Sequence, residues 1–203
     1  MRRPAAILMA VVVFAGAAAA SGPGYRRHTV PGQGVSLLLP TSWKSLTARQ
    51  AKELLAPGEF ERENPQFAAF VALMRRSDSP LKLIAFDPIP LDDFATNANV
   101  VALPLKGPVP LSAYEEELIR EARSIGASHL AAAVVHLPAG AAVRLTYRLP
   151  IKSKGHVFST ATTQYAFPRP TRSVVVTYTT IPKAASTYAP IFATSARSIR
   201  FGT

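Results

Sequence analysis

Apolar residues along this chain come in short runs, most of them closed by proline, glycine or an aspartate–proline step. The runs switch between a period of two and a helical period, so strands and helices can be assigned in turn. A first short strand is predicted near His28–Val30. Val35–Leu39 is a second, stopped by Pro40. Thr47–Leu55 carries helix-forming residues and ends before Pro57-Gly58, which predicts a short helix with a stop signal. Asn64-Pro65 can cap and start another, and Phe67, Phe70, Val71 and Met74 then lie on one apolar face. Leu81–Phe86 and Asn97–Leu103 read as strands, ended by Asp87-Pro88 and by Pro104. Ser112-x-x-Glu115 has the spacing of a capping box. Behind it Leu111, Tyr114, Leu118, Ala122 and Ile125 make one helical stripe, Glu116 and Arg120 stand four apart, and Gly126 fits a C-terminal cap. Three strands are predicted next, from Val143, from His156 to Phe167 and from Arg172 to Ile181. A final helix over Pro182–Ser195 and a last strand at Ser198–Phe201 close the chain.

Side-chain parity assigns faces to the three long strands, because a slip of one residue exchanges them. Pairing Arg148 with Thr160, and Thr162 with Thr177, predicts one polar face of Arg144, Thr146, Arg148, Thr160, Thr162, Gln164, Thr177 and Thr179. The other face then holds Val143, Leu145, Tyr147, Leu149, Tyr165, Phe167, Val174, Val176 and Tyr178, and is core. Walled in by loops or helices, the polar face becomes an anion-binding groove, because arginine offers paired donors to carboxylate or phosphate. The residues proposed for partner or anion binding are Arg144, Arg148, Arg169, Arg172, Lys152, Lys154 and Gln164.

Charge sharpens that expectation. The chain carries 23 Lys+Arg against 12 Asp+Glu, a formal +11. Every acid lies between Glu53 and Glu121, and residues 122–203 hold ten bases and no acid. Such segregation implies an oriented surface field that favours acidic partners: an acidic protein, an anionic envelope component or an anionic membrane surface. No motif supports nucleic-acid binding. An enzyme site in the last 82 residues would have to borrow its carboxylate from residues 53–121.

Arg2 and Arg3 precede the uncharged run Ala5–Ala20, and Ala18-Ala19-Ala20 fits a small-residue cleavage site. The pattern reads as a secretory signal, or as an anchor if it is retained, although the run falls short of the roughly 20 residues that span a bilayer. An extracytoplasmic protein is the expectation. With 0 Cys, disulfides, thiol nucleophiles and CxxC zinc sites are excluded, and stability must come from packing.

Catalytic signals are sparse. His28, His129, His136 and His156 show no metal-ligand spacing, there is no GxSxG elbow, and Gly22-x-Gly24 and Gly32-x-Gly34 lack the context of a phosphate loop. Adjacent acids at Asp92-Asp93 and Glu115–Glu117 point apart, and the glutamates suit a helix N-terminus. No catalytic residue, metal site or cofactor is assigned. The alternatives to a binding module are an envelope hydrolase or transferase with a histidine base such as His136, and electrostatic association with a membrane surface through the basic C-terminal half.

One segment carries a family likeness. Gly34-Val-Ser-Leu-Leu-Leu-Pro-Thr-Ser-Trp43, with a short strand, Pro40 and then Trp43, resembles the start of PsbP-like domains. Tyr188-Ala-Pro-Ile-Phe-Ala-Thr-Ser-Ala-Arg-Ser-Ile-Arg-Phe201 resembles their last helix and strand. Phe94–Asn99 and Leu137–Leu145 are similar to bacterial members. The resemblance covers residues 27–203. It implies the superfamily shared by photosystem II PsbP, the Ran-binding Mog protein and actinobacterial LpqN-type lipoproteins. It further implies an α+β fold with a central antiparallel sheet flanked by helices on both faces, and binding rather than catalysis. The lipidated cysteine of the LpqN type is absent here. The expected organisation is a signal peptide or anchor over 1–20, a linker over 21–34 and one domain over 35–203. The expected function is a non-enzymatic binding or assembly module of the cell envelope.

Overall fold

Runs of valine, threonine and aromatic residues suit a pleated, half-buried surface, and strands dominate the architecture. A computed structural model describes residues 24–30, 32–46, 50, 62–65, 72, 79–153 and 155–202. Its strands are β1 (Tyr25–Val30), β2 (Val35–Pro40), β3 (Lys44–Leu46), β4 (Leu81–Phe86), β5 (Asn97–Pro104), β6 (Ser128–Leu137), β7 (Gly140–Ser153), β8 (His156–Pro168), β9 (Arg172–Thr180) and β10 (Arg200–Phe201). The helices described over their whole length are α1 (Leu111–Ser124) and α2 (Ala185–Arg197), the latter entered through a 3-10 turn at Pro182–Ala184. None of these helices is long and apolar enough to cross a membrane. The helices expected over Thr47–Leu55 and from Asn64-Pro65 to Met74 lie outside the described residues, apart from single positions.

Two antiparallel sheets result. A seven-stranded sheet runs in the order β3-β4-β5-β9-β8-β7-β6, and a three-stranded sheet in the order β1-β2-β10. The expected linker 21–34 needs correcting, because Tyr25–Val30 pairs with β2 along its length, from Tyr25↔Pro40 to Val30↔Val35. Its glycines turn the hairpin instead: Gly32 and Gly34 have φ of 67° and 55°.

Helix α1 buries Tyr114, Leu118 and Ala122, the middle of the predicted stripe. Its C-terminus closes as a Schellman motif. The Gly126 N–H donates to Arg123 O, the Ala127 N–H donates to Ala122 O, and Gly126 takes φ 84°. The capping box does not form. Pro110 is the N-cap, so Ser112 already lies inside the helix. Arg120 pairs with Glu117 rather than with Glu116.

The core divides into two main clusters. Tyr114, Leu118 and Ala122 pack with Val143, Leu145, Tyr147, Leu149 and Ile151, the odd-numbered residues of β7. Phe192 and Ala196 of α2, with Val35, Leu37 and Leu39 of the small sheet, pack with Val174, Val176 and Tyr178 of β9 and with Ala98 and Val100 of β5. Each fully buried leucine contributes roughly 1.5–3 kcal/mol. Trp43 belongs to this second cluster, 6.4 Å from the Tyr188 ring, and its N–H donates to Pro40 O. Trp43 and Pro40 thus set packing and a turn.

Candidate functional site

The site depends on the register of the β7–β8 hairpin. Ser153 pairs with His156, and Gly155, at φ 76°, lies in the tight turn between them. That turn places Arg148 opposite Ala161 and Arg144 opposite Tyr165. The sequence-based register is therefore one residue out between these strands. Pairing between β8 and β9 differs by two, with Thr162↔Thr179 and Gln164↔Thr177, which leaves their faces unchanged.

The consequence corrects both predicted faces. Thr160, Thr162, Gln164, Thr177 and Thr179 share a face with Leu145, Tyr147 and Leu149. Arg144, Thr146 and Arg148 share a face with Thr163, Tyr165, Val176 and Tyr178. Gln164 is fully buried and donates to Thr177 Oγ1 at 3.2 Å, so it is withdrawn from the candidate binding residues. It belongs instead to a buried polar array. Asn97 stands opposite Thr179 and Asn99 opposite Thr177. Both ends of the Asn99 carboxamide, Asn97 Oδ1 and Thr179 Oγ1 are buried without a hydrogen-bond partner. Beside them Tyr147 is held well above the ordinary phenol value, mainly by burial.

On the other face, a groove of about 320 Å³ opens between the sheet and α2. Thr146, Ala161 and Thr163 form its floor, and Ala185, Ala189 and Ala193, one helical turn apart, leave room along the helix wall. Arg144 and Tyr165 stand at its rim. Burial raises the Tyr165 phenol, while the charges of Arg144 and Arg197 pull it back, so two guanidinium groups act on one hydroxyl. Thr146 Oγ1 donates to Ala131 O at 3.3 Å. Among the described residues Arg144, Arg148 and Arg197 have no carboxylate partner. Such a groove offers hydroxyls and the Arg144 guanidinium to an anion, and none of the described residues that line it is a carboxylate.

The remaining candidate residues scatter. Arg148 and Lys152 are exposed along β7 on the Arg144 face. Lys154 lies outside the described residues. Arg169 lies over the Phe201 ring, 4.8 Å from its centroid. Arg172 donates to Gln33 O at 2.7 Å and ties the β8–β9 loop to the β1–β2 turn. These last two arginines have local structural work, and among the described residues of the predicted set only Arg144 lines the groove. Tyr165, Arg197 and the α2 alanines are site residues that parity missed. Gly155, a glycine able to close a tight hairpin, and the four-residue spacing of the alanines were the signals for them.

The histidines are dispersed. His129 and His136 are exposed on β6, and a bulge between Ser128 and Ala131, with His129 at φ 53°, breaks the simple alternation expected between them. His28 Nε2 is buried without a partner, and burial, with Arg26 adding to it, holds the imidazole below its ordinary value. His156 lines an open cleft of about 690 Å³ with Asp92, Asp93, Ser159 and Lys183. Asp92 is ion-paired with Lys183 there, and the nearest ring contact of His156 is Phe158 at 6.4 Å.

Comparison with known proteins places the fold. No family model matches the chain, and no curated protein does. The chain is similar to the solution structure of cyanobacterial PsbP (CyanoP) from Synechocystis sp. PCC 6803. The TM-score is 0.56 at 14% identity, over 92% of this chain and 98% of that one. It is also similar to LpqN, involved in cell envelope biogenesis of Mycobacterium tuberculosis, with a TM-score of 0.54 at 12% identity, over 90% and 91% of the two chains. The chain therefore has the PsbP-like, LpqN-like fold that its ends resemble.

Proposed function

We propose that this chain is an exported, non-enzymatic binding module of the cell envelope, engaging an acidic protein or anionic envelope component at the Arg144 groove. The observation that carries the reading is Arg144, with no carboxylate partner among the described residues, beside Tyr165 at a groove to which residues 122–203 supply no acid. LpqN, with the same fold, is involved in cell envelope biogenesis, and the signal-like N-terminus of this chain agrees with a location outside the cytoplasm. We also read the architecture as a sheet with a helical layer on each face, because α1 and α2 draw on residues of opposite parity.

The test is in-cell cross-linking of the full chain, followed by capture and mass spectrometry of the envelope fraction. The comparison is a variant combining Arg144→Glu, Arg148→Glu and Arg197→Glu, shown folded by circular dichroism. Arg169 and Arg172 are left intact because their local contacts make loss of fold an alternative cause. One dominant acidic partner, absent from the variant, is the expected result. Equal capture by both proteins overturns the assignment of this surface. A hydrolase or transferase reading rests on His156 sharing a cleft with Asp92, Asp93 and Ser159. It predicts turnover of envelope substrates that His156→Ala removes.

A further inference from the structure

Strand β6 is an edge of the large sheet, bonded to β7 and, among the described residues, to no other strand. It runs for ten residues, and none of them is fully buried. Val134 is 42% exposed. Residues 124–143 carry no charge at all. Natural edges are usually blunted by lysine, proline or a bulge, because their free N–H and C=O groups invite another strand. Here the bulge lies at one end, between Ser128 and Ala131, and Ala131–Leu137 pairs regularly with β7. That stretch has neither charge nor proline.

The residues beside the cations matter equally. Ala133 stands opposite Arg144, and Ala131 stands opposite Thr146. Directly opposed residues share a face. Two alanines therefore separate the Arg144 row from the open edge, and a methyl group does not screen a guanidinium. A strand added beside β6 would lie two inter-strand spacings from β7, about 9.6 Å away. An arginine reaching outward and a glutamate reaching inward meet across that gap.

We infer that β6 accepts an extended acidic polypeptide segment as an additional strand, whose carboxylates on one face are read by Arg144 across Ala133 and by Arg148 across Ser128 at the bulged end. The inference rests on the proposed anion-binding role of these arginines and adds the geometry of the partner to it. Main-chain hydrogen bonds to the edge supply affinity, and alternate side chains supply specificity. A second copy of this chain is the poorer occupant. Its own β6 brings no carboxylate to Arg144, and its net charge has the same sign.

The experiment uses the full chain and three labelled synthetic peptides of about ten residues. The first alternates valine and glutamate. The second has the same charge but a proline at every third position, so it cannot extend a ladder. The third alternates valine and glutamine. Fluorescence anisotropy gives affinity, and hydrogen exchange follows the amides of residues 131–137. The expected result is binding of the valine–glutamate peptide at least about tenfold tighter than the other two, with slowed exchange over 131–137. Both effects should be lost in Arg144→Glu and in Ala133→Glu, the second of which supplies an internal counter-ion. Equal binding of the two acidic peptides without amide protection overturns strand addition and leaves the anion reading standing. Failure of both acidic peptides to bind overturns strand addition and counts against anion capture by these arginines. Equal binding of the glutamine peptide overturns the acidic requirement. Dimerisation of the free chain that protects 131–137, seen by light scattering, overturns the choice of occupant.

Discussion

At the scale of single residues, the two asparagines of β5 are the least expected feature. Asn97 and Asn99 sit on a central strand with Thr177 and Thr179 as neighbours, and all four are fully buried. An unpartnered buried polar group costs about 1–3 kcal/mol, whereas an apolar group of the same shape costs nothing of that kind. Asn99 leaves both ends of its carboxamide without a partner. Asn99→Val, apolar, only moderately larger and suited to a central strand, is therefore expected to stabilise the chain by about 1 kcal/mol, read as a higher urea midpoint at unchanged slope. A lower midpoint would mean that the carboxamide is satisfied in solution by water, which then belongs to the structure. The polar residues of this array were visible as a threonine-rich alternation. Their burial was not, because hydropathy alone sends such a face to solvent.

At the scale of elements, local chemistry was more legible than pairing. The α1 stripe and its Gly126 cap follow from spacing and from the one residue type that takes φ 84° easily. The capping box failed because the helix begins earlier, with Pro110 as its N-cap two positions before Ser112. Strand β1 was mostly absorbed into a linker, because glycine and proline flank it, although its pairing with β2 is complete. The β7–β8 register failed by one residue. Both threonine-with-arginine and valine-with-tyrosine groupings looked self-consistent, and only the turn decides between them. Gly155 at φ 76° is that decision, and a methyl group added at its α-carbon would meet nothing within 4 Å. Gly155→Ala is thus a test of backbone conformation alone, and should destabilise by about 1–2 kcal/mol. Gly107, also in open space but without a positive φ, is the matched control. Gly107→Ala should be neutral or stabilising by less than about 1 kcal/mol. Urea unfolding of the two variants separates these outcomes, and equal effects would refute the turn assignment.

At the scale of the whole molecule, four tyrosines report whether the two core clusters unfold together. Tyr114 and Tyr147 belong to the α1 cluster, and Tyr178 and Tyr188 pack in or against the α2 cluster. Burial is the largest cause of a raised phenol at each. Tyr114, bonded to Ser173, is pushed up to about 12. Tyr188, which donates to Asp87 Oδ2 at 2.7 Å, is also pushed up to about 12, with the carboxylate adding to the effect of burial. Tyr147 and Tyr178 lie higher still. In the unfolded chain all four ionise near 10. A raised folded-state value means that the native chain holds protons the unfolded chain releases. The stability it contributes is complete below pH 10 and is lost as pH rises through the folded values near 12. The expected outcome is a single alkaline transition above pH 10, in which tyrosinate absorbance and loss of far-ultraviolet dichroism coincide. The sheet is continuous from β3 to β6, so its two faces share every central strand, and neither cluster can open without disturbing β8 and β9. Two separated tyrosinate steps would refute that coupling and would divide the domain into units that the strand order does not suggest.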